Sequence, residues 1–260
     1  MSEEVLLSID GPIATITINR PDSRNALNAG VWLGLEKAAN EIWSREEVLV
    51  AILTGAGERA FSAGIDVKAV ASGALGQIGS RGRGGYGSMA KMKGIFTMYE
   101  DMPIPVIAAI QGYCLGAGME LTLACDIRLA AEDAVFSLPE VKLGIVPDMG
   151  STQRLPRLVG LGMAKELIYT SRMITAAEAL RIGLVNHVYP KDKLREEALK
   201  LAQEIAGNPP GVVQGAKRAV NYTMSVPLEA GIRLETEIAA AANQVGTLAQ
   251  QAEALRERKG

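Results

Sequence analysis

The sequence predicts an α/β fold that ends in a helical extension. Two stretches carry that expectation: "VLVAILTG" (48–55) and "PVIAAIQG" (105–112) are almost wholly apolar, the way strands covered on both faces read. Strand patterns alternate with helical ones over roughly the first 190 residues, and only helical patterns follow, which points to α/β layering and then a helical tail.

Each element has a local cause. "VLLSIDGPIATITINR" reads as two β-rich runs broken at Gly11-Pro12, a hairpin signal. Asn28 is placed to cap a helix running to about Arg45, with Val31, Leu35, Ala38, Ala39 and Ile42 on one face. "AGERAFSAGID" reads as a loop, and residues 72–88, "SGALGQIGSRGRGGYGS", as a mobile glycine-rich surface loop. Gly82, Gly84 and Gly87 formally match G-x-G-x-x-G, but no strand precedes them to give that motif its phosphate-binding geometry. After "PVIAAIQG" the chain turns through "YCLGAG" into a helix, about "GMELTLAC", followed by short strands in "DIRLAA" and "AVFSLP". The segment "PEVKLGIVPDMG" (139–150) is mostly apolar and is expected to head inward, carrying Glu140 and Asp148. Helices follow near 151–159 and 161–170. "TAAE" (175–178) is a capping box, "LVNHVY" a last strand, and helical patterns then run to the end with breaks at Pro209-Pro210 and Pro227. No internal repeat is visible by eye.

Composition removes several function classes. The 260 residues carry a net charge of −2, so no global field recruits nucleic acid or an acidic membrane. Aromatics are 4% of the chain, leaving Ala, Ile, Leu and Val to fill the core. The two cysteines, Cys114 and Cys125, lie in apolar contexts and read as small buried hydrophobes. His187 is the only histidine, which argues against a His-based triad or a multi-His metal site; no metal is expected. "MSEEVLLSID" has no signal-peptide pattern and no apolar run is long enough to span a bilayer, so a cytoplasmic location is the expectation.

The chemistry concentrates at two glycine turns that follow the buried strands, "FSAGID" (61–66) and "GYCLGAGME" (112–120). In α/β proteins ligands gather beyond the carboxyl ends of such strands. Glycines let backbone N–H groups face a ligand, and the second turn opens a helix whose free N–H groups favour negative charge. Glu120 lies in the first turn of that helix. Glu120, Glu140 and Asp148 all sit in apolar stretches near turns, an unusual company for carboxylates that only cap helices.

The stretch 105–160, together with "ITINRPDSRNALN" (16–28), "AFSAGIDVKAV" (60–70) and "ITAAEALRIGLVNHVYP" (174–190), strongly resembles the enoyl-CoA hydratase/isomerase (crotonase) family over essentially the whole chain. The resemblance implies a ββα spiral over residues 1–195 holding an acyl-CoA site. It also implies a C-terminal helical region, 196–260, that trimerises, commonly to a hexamer. It implies a thioester carbonyl held between the N–H groups of Ile65 and Ala117, an oxyanion hole, with Ala117 standing where many members have glycine. Arg24 matches a CoA-phosphate contact, and the backbone at Ala63 and Ile65 borders the adenine and the thioester. Lys68 reads as surface, and Arg256 or Lys259 as weak candidates for a neighbour's CoA. Coenzyme A is part of the substrate, and no separate cofactor is implied.

Glu120 and Glu140 match the paired glutamates of the hydratases, one acting as base while the other side supplies a proton. Asp148 departs from the hydratase pattern, which has glycine there in an "IPGAGGTQRL"-like stretch. The dienoyl-CoA isomerases have aspartate at that place and use it with the equivalent of Glu140, but tend to have aspartate where Glu120 stands. The leading expectation is therefore trans-2-enoyl-CoA hydration by Glu120 and Glu140. The alternative is a dienoyl-CoA isomerase using Glu140 and Asp148, and a remote one a non-enzymatic RNA binder using "RGRGG". A plain structural reading of Asp148 is a turn residue capping the helix that begins near Gly150.

Overall fold

The structure is a computed structural model and describes residues 3–77, 85–223 and 225–242. The chain forms two compact units, Met1–Gln203 and Glu204–Gly260. In the first, strands β1 (Val5–Asp10) and β2 (Ile13–Ile18) make the expected antiparallel hairpin, with Asp10 opposite Ile13 and Gly11 at φ +52° in the turn. Helix α1 (Ala29–Trp43) is capped as the sequence suggests: the Asn28 side chain accepts from the Val31 N–H at 2.9 Å.

Three ββα turns follow. Strand β3 (Val50–Gly55) leads to β4 (Ala60–Ser62), then helices α2 (Val67–Ala71) and α3 (Gly85–Asp101). Strand β5 (Val106–Ile110) leads to β6 (Tyr113–Leu115) and helix α4 (Ala117–Leu123). Strand β7 (Ile127–Ala131) leads to β8 (Val135–Ser137), then α5 (Ser151–Val159) and α6 (Leu161–Thr170). The chain continues through β9 (Ile174–Thr175), α7 (Ala176–Arg181), β10 (His187–Tyr189) and α8 (Leu194–Ala206). The first strand of each turn enters a six-stranded sheet of order β1-β2-β3-β5-β7-β10, parallel from β2 onward. The second strand enters a four-stranded sheet of order β4-β6-β8-β9. This repeat is structural. It escapes inspection of the sequence because each turn carries a different helical insert.

Strands β3 and β5 are buried at every residue, as their apolar runs require. Aliphatic side chains dominate the core, yet all three phenylalanines, Phe61, Phe96 and Phe136, are also within it. The expectations fail in three places. "AGERAFSAGID" and "YCLGAG" contain the short strands β4 and β6 rather than loop alone. The glycine-rich loop reading fails from residue 85 onward, where α3 begins; Gly87 is helical, while Gly82 and Gly84 lie outside the described residues. Helix α3 forms despite its glycines because Met92, Ile95, Phe96 and Tyr99 make one buried stripe. Phe96 stacks on Trp32 at 4.7 Å, and the Tyr99 hydroxyl donates to the Leu35 carbonyl at 2.9 Å.

The third failure is the segment 139–150. After a short 3₁₀ turn, Pro139–Leu143, its apolar side chains face outward: Val141, Leu143, Ile145 and Val146 are all exposed, and only Glu140, Pro147 and Met149 are buried. The polar group goes in and the aliphatic ones stay out, the reverse of ordinary partitioning. The capping box is half made. The Thr175 side chain accepts from the Glu178 N–H at 3.3 Å, but the Glu178 carboxylate turns to Arg172 at 2.8 and 3.0 Å.

The second unit contains α9 (Pro210–Tyr222) and α10 (Leu228–Ala242). Pro210 takes the first helical position and Pro227 directly precedes α10, so both expected breaks mark helix starts. No described helix is long and apolar enough to cross a membrane.

Candidate active site

The two glycine turns meet. Gly64, at φ +89°, packs so closely on the second turn that a methyl group there would stand 2.8 Å from the Leu115 carbonyl oxygen and 3.4 Å from the Ala117 nitrogen. Leu27 fixes the first turn by donating to the Gly64 carbonyl at 2.8 Å and accepting from the Asp66 N–H at 3.1 Å. That pairing turns the Ile65 N–H away from Leu27, and it has no acceptor among the described residues. Ala117 is the first residue of α4, where N–H groups have no intrahelical acceptor. The two N–H groups nominated from the sequence thus both lack an acceptor among the described residues and lie on turns in contact.

Glu120, one turn into α4, is 1% exposed. Its Oε1 accepts three hydrogen bonds: from Met149 N–H at 3.0 Å, Ser151 N–H at 3.2 Å and the Ser151 hydroxyl at 2.8 Å. Burial pushes its pKa above the ordinary carboxylate value, and the three donors work against that rise. Glu140 is 8% exposed, and its Oε2 has no hydrogen-bond partner among the described residues. Burial, followed by the nearby charges of Glu120 and Asp148, pushes it up to about 7. Its Oε1 would lie 2.6 Å from a methyl group on Gly116, so glycine at φ +50° is what lets this carboxyl reach the turn. Two carboxyls of one chemical type therefore sit together in unlike settings.

Asp148 joins them at the edge. It is close enough for its charge to raise both glutamates, but its side chain is 39% exposed and stands 4.0 Å from Lys93 of α3. It does not cap α5: the N-cap is Gly150, and no side chain caps it. The first N–H of α5 points instead at Glu120.

Arg24 is exposed in a left-handed turn, its guanidinium 5.8 Å from the Tyr113 ring centre, and its carbonyl accepts from the Ala63 N–H at 2.9 Å. Lys68 is exposed, His187 is exposed on β10, and both cysteines are buried and outside any disulfide. Arg256 and Lys259 lie outside the described residues. No group of three metal-capable side chains occurs among the described residues.

Several positioning residues were not singled out from the sequence. Asn25 accepts from the Arg20 N–H and donates to the Ala56 and Ala60 carbonyls, tying the Arg24 turn to β4. Arg154 grips Glu100 at 2.6 Å, Thr97 at 3.1 Å and the Met149 carbonyl at 3.3 Å, so α3 holds the loop that feeds Glu120. The only sequence signal for any of them is their place inside the family-like stretches.

The comparisons agree with this architecture. The enoyl-CoA hydratase/isomerase family profile matches residues 8–258. The chain is 43% identical over 233 residues to a short-chain-enoyl-CoA hydratase of Clostridium acetobutylicum, covering 90% of this chain and 87% of that protein. It is 40% identical over 235 residues to a crotonyl-CoA hydratase of Syntrophomonas wolfei, covering 90% and 88%. The crystal structure of an enoyl-CoA hydratase from Bacillus anthracis superposes with a TM-score of 0.91 at 38% identity, covering 98% and 96%. The crotonase-like spiral and the match along nearly the whole chain place this protein in the enoyl-CoA hydratase/isomerase family of enzymes.

Proposed function

We propose that the protein is an enoyl-CoA hydratase, adding water across the double bond of a trans-2-enoyl-CoA thioester. The observation that carries this reading is the pairing of Glu120 and Glu140, buried together in unlike environments beside two unused backbone N–H groups. In this mechanism the thioester oxygen accepts from the N–H groups of Ile65 and Ala117, which stabilise charge as it moves onto that oxygen. Glu120, with donors aimed at its carboxylate, takes a proton from water as the oxygen adds to Cβ. Glu140, whose raised pKa keeps a proton near neutrality, delivers it to Cα on the same face. The proton left on Glu120 then returns to Glu140 through solvent, so the net addition is one water and the reaction needs no cofactor beyond the substrate's own coenzyme A. Arg24 and the backbone at Ala63 and Ile65 are the coenzyme A contacts in this reading.

The dienoyl-CoA isomerase alternative keeps one specific support: Asp148 lies within electrostatic reach of both glutamates. Against it, Asp148 is half exposed and already faces a cation, Lys93. Two absorbance assays separate the readings. Hydration of crotonyl-CoA is expected to be fast, to collapse in Glu120→Gln and to persist in Asp148→Asn. A fast 3,5- to 2,4-dienoyl-CoA shift that is lost in Asp148→Asn would reverse the ranking.

We also infer self-association into a trimer or a hexamer. The support is a cleft of about 450 Å³ on the second unit, lined by apolar residues of α9 and α10 such as Val220 and Ile232, with Leu228 81% exposed. Sedimentation velocity checks this; a monomer at micromolar concentration would refute it.

A further inference from the structure

The Ser151 hydroxyl sits where no helix cap needs it. A serine at a helix start ordinarily turns its oxygen back to accept from its own helix's N–H groups. Ser151 is instead the first residue of α5, fully buried, and its hydroxyl donates outward to Glu120 Oε1 at 2.8 Å. Its own N–H and that of Met149 aim at the same oxygen. Three donors converge on Oε1, while Oε2 accepts none of them. The single hydroxyl proton has one other acceptor, the Pro147 carbonyl at 3.3 Å, so it follows the charge on Glu120.

We propose that Ser151 is a positioning residue that holds Glu120 as a carboxylate with Oε1 locked away from the reaction and Oε2 left to exchange the proton of water. This rests on the hydratase reading, in which Glu120 acts as base. A donor to the ionised form favours that form, and the Ser151 hydroxyl is the largest counterweight to the burial that pushes Glu120 up. Removing the hydroxyl leaves the carboxylate two donors and raises its pKa, so the base is unprotonated only at higher pH.

The test is the pH profile of crotonyl-CoA hydration in Ser151→Ala, Ser151→Gly and Ser151→Thr, with thermal melting as the fold control. A hydrogen bond to a charged group is worth enough that both deletions are expected to lower kcat about tenfold. The acid limb of kcat/KM is expected to move up by about one pH unit, with KM within about twofold and Ser151→Thr, which keeps the hydroxyl, restoring the profile. An unchanged profile in folded Ser151→Ala and Ser151→Gly, or a loss confined to KM or to the melting temperature, would overturn the proposal. So would a folded Ser151→Thr that behaves like Ser151→Ala. Glu120→Gln, run in parallel, separates the two levels. If it still hydrates crotonyl-CoA, Glu120 is not the base and the role of Ser151 falls with it; if it is dead while Ser151→Ala is normal, only the role of Ser151 fails; and if the wild type itself does not hydrate crotonyl-CoA, the hydratase reading fails.

Discussion

Helix α4 and the stretch 139–150 each bring one carboxyl to the same place, and they do so by opposite means. Every residue of α4 is buried, and Glu120 arrives on a rigid helix whose neighbour, α5, spends its first N–H and a serine hydroxyl on it. The stretch 139–150 lies on the surface with four aliphatic side chains exposed, and dips inward for Glu140, whose Oε2 is left without a partner among the described residues. Burial raises both carboxyls, and only at Glu120 do three donors to the carboxylate oppose that rise. In the proposed hydration, that difference is what would divide one pair of identical residues into a base and an acid: the division would come from what surrounds each carboxyl, not from the residue type.

Removing either side of the comparison gives the largest effect. Glu120→Gln and Glu140→Gln are each expected to lower kcat for crotonyl-CoA hydration about 10³-fold. Steady-state rates at saturating substrate check this, and a loss below tenfold in either would mean that the pair is not the acid and the base. Gly116→Ala attacks the place where the two regions touch. Its methyl would stand 2.6 Å from Glu140 Oε1 on a backbone at φ +50°, so a loss of about 1–3 kcal/mol in chemical denaturation is expected, together with reduced turnover.

A smaller effect sharpens the contrast in protonation. Burial raises Glu140 in the folded chain to about 7, above its unfolded value. Folding therefore takes up a proton between the ordinary glutamate range and pH 7. The associated stability is present at low pH and is lost as pH rises through that window. Glu140→Gln cannot ionise, so its melting temperature is expected to gain on the wild type from pH 4.5 to pH 8 and then level off. Parallel melting curves across that range would count against a buried, proton-holding Glu140. The smallest effect belongs to Asp148→Asn. A half-exposed pair 4.0 Å apart contributes at most about 1 kcal/mol, so hydration is expected to change less than about fivefold.

The α/β class, the hairpin, the capped helix α1, the two buried strands and the order of the acids along the chain are all legible in the sequence. Each of these follows from local signals: an apolar run, a turn pair, an Asn at a helix start. The family-like stretches carried Ile65, Ala117, Glu120 and Glu140 as far as candidates. Tertiary structure alone decided the rest. Helix α3 exists because a stripe of large apolar side chains finds Trp32 and Leu35, which outweighs its glycines. The apolar stretch 139–150 stays outside because only Glu140, Pro147 and Met149 have an interior to enter. Asp148 proves to be an edge residue opposite Lys93, and Ser151 a donor to Glu120 across 31 residues of chain. Those outcomes depend on contacts between residues distant in sequence, and local composition does not encode which distant group a side chain will meet.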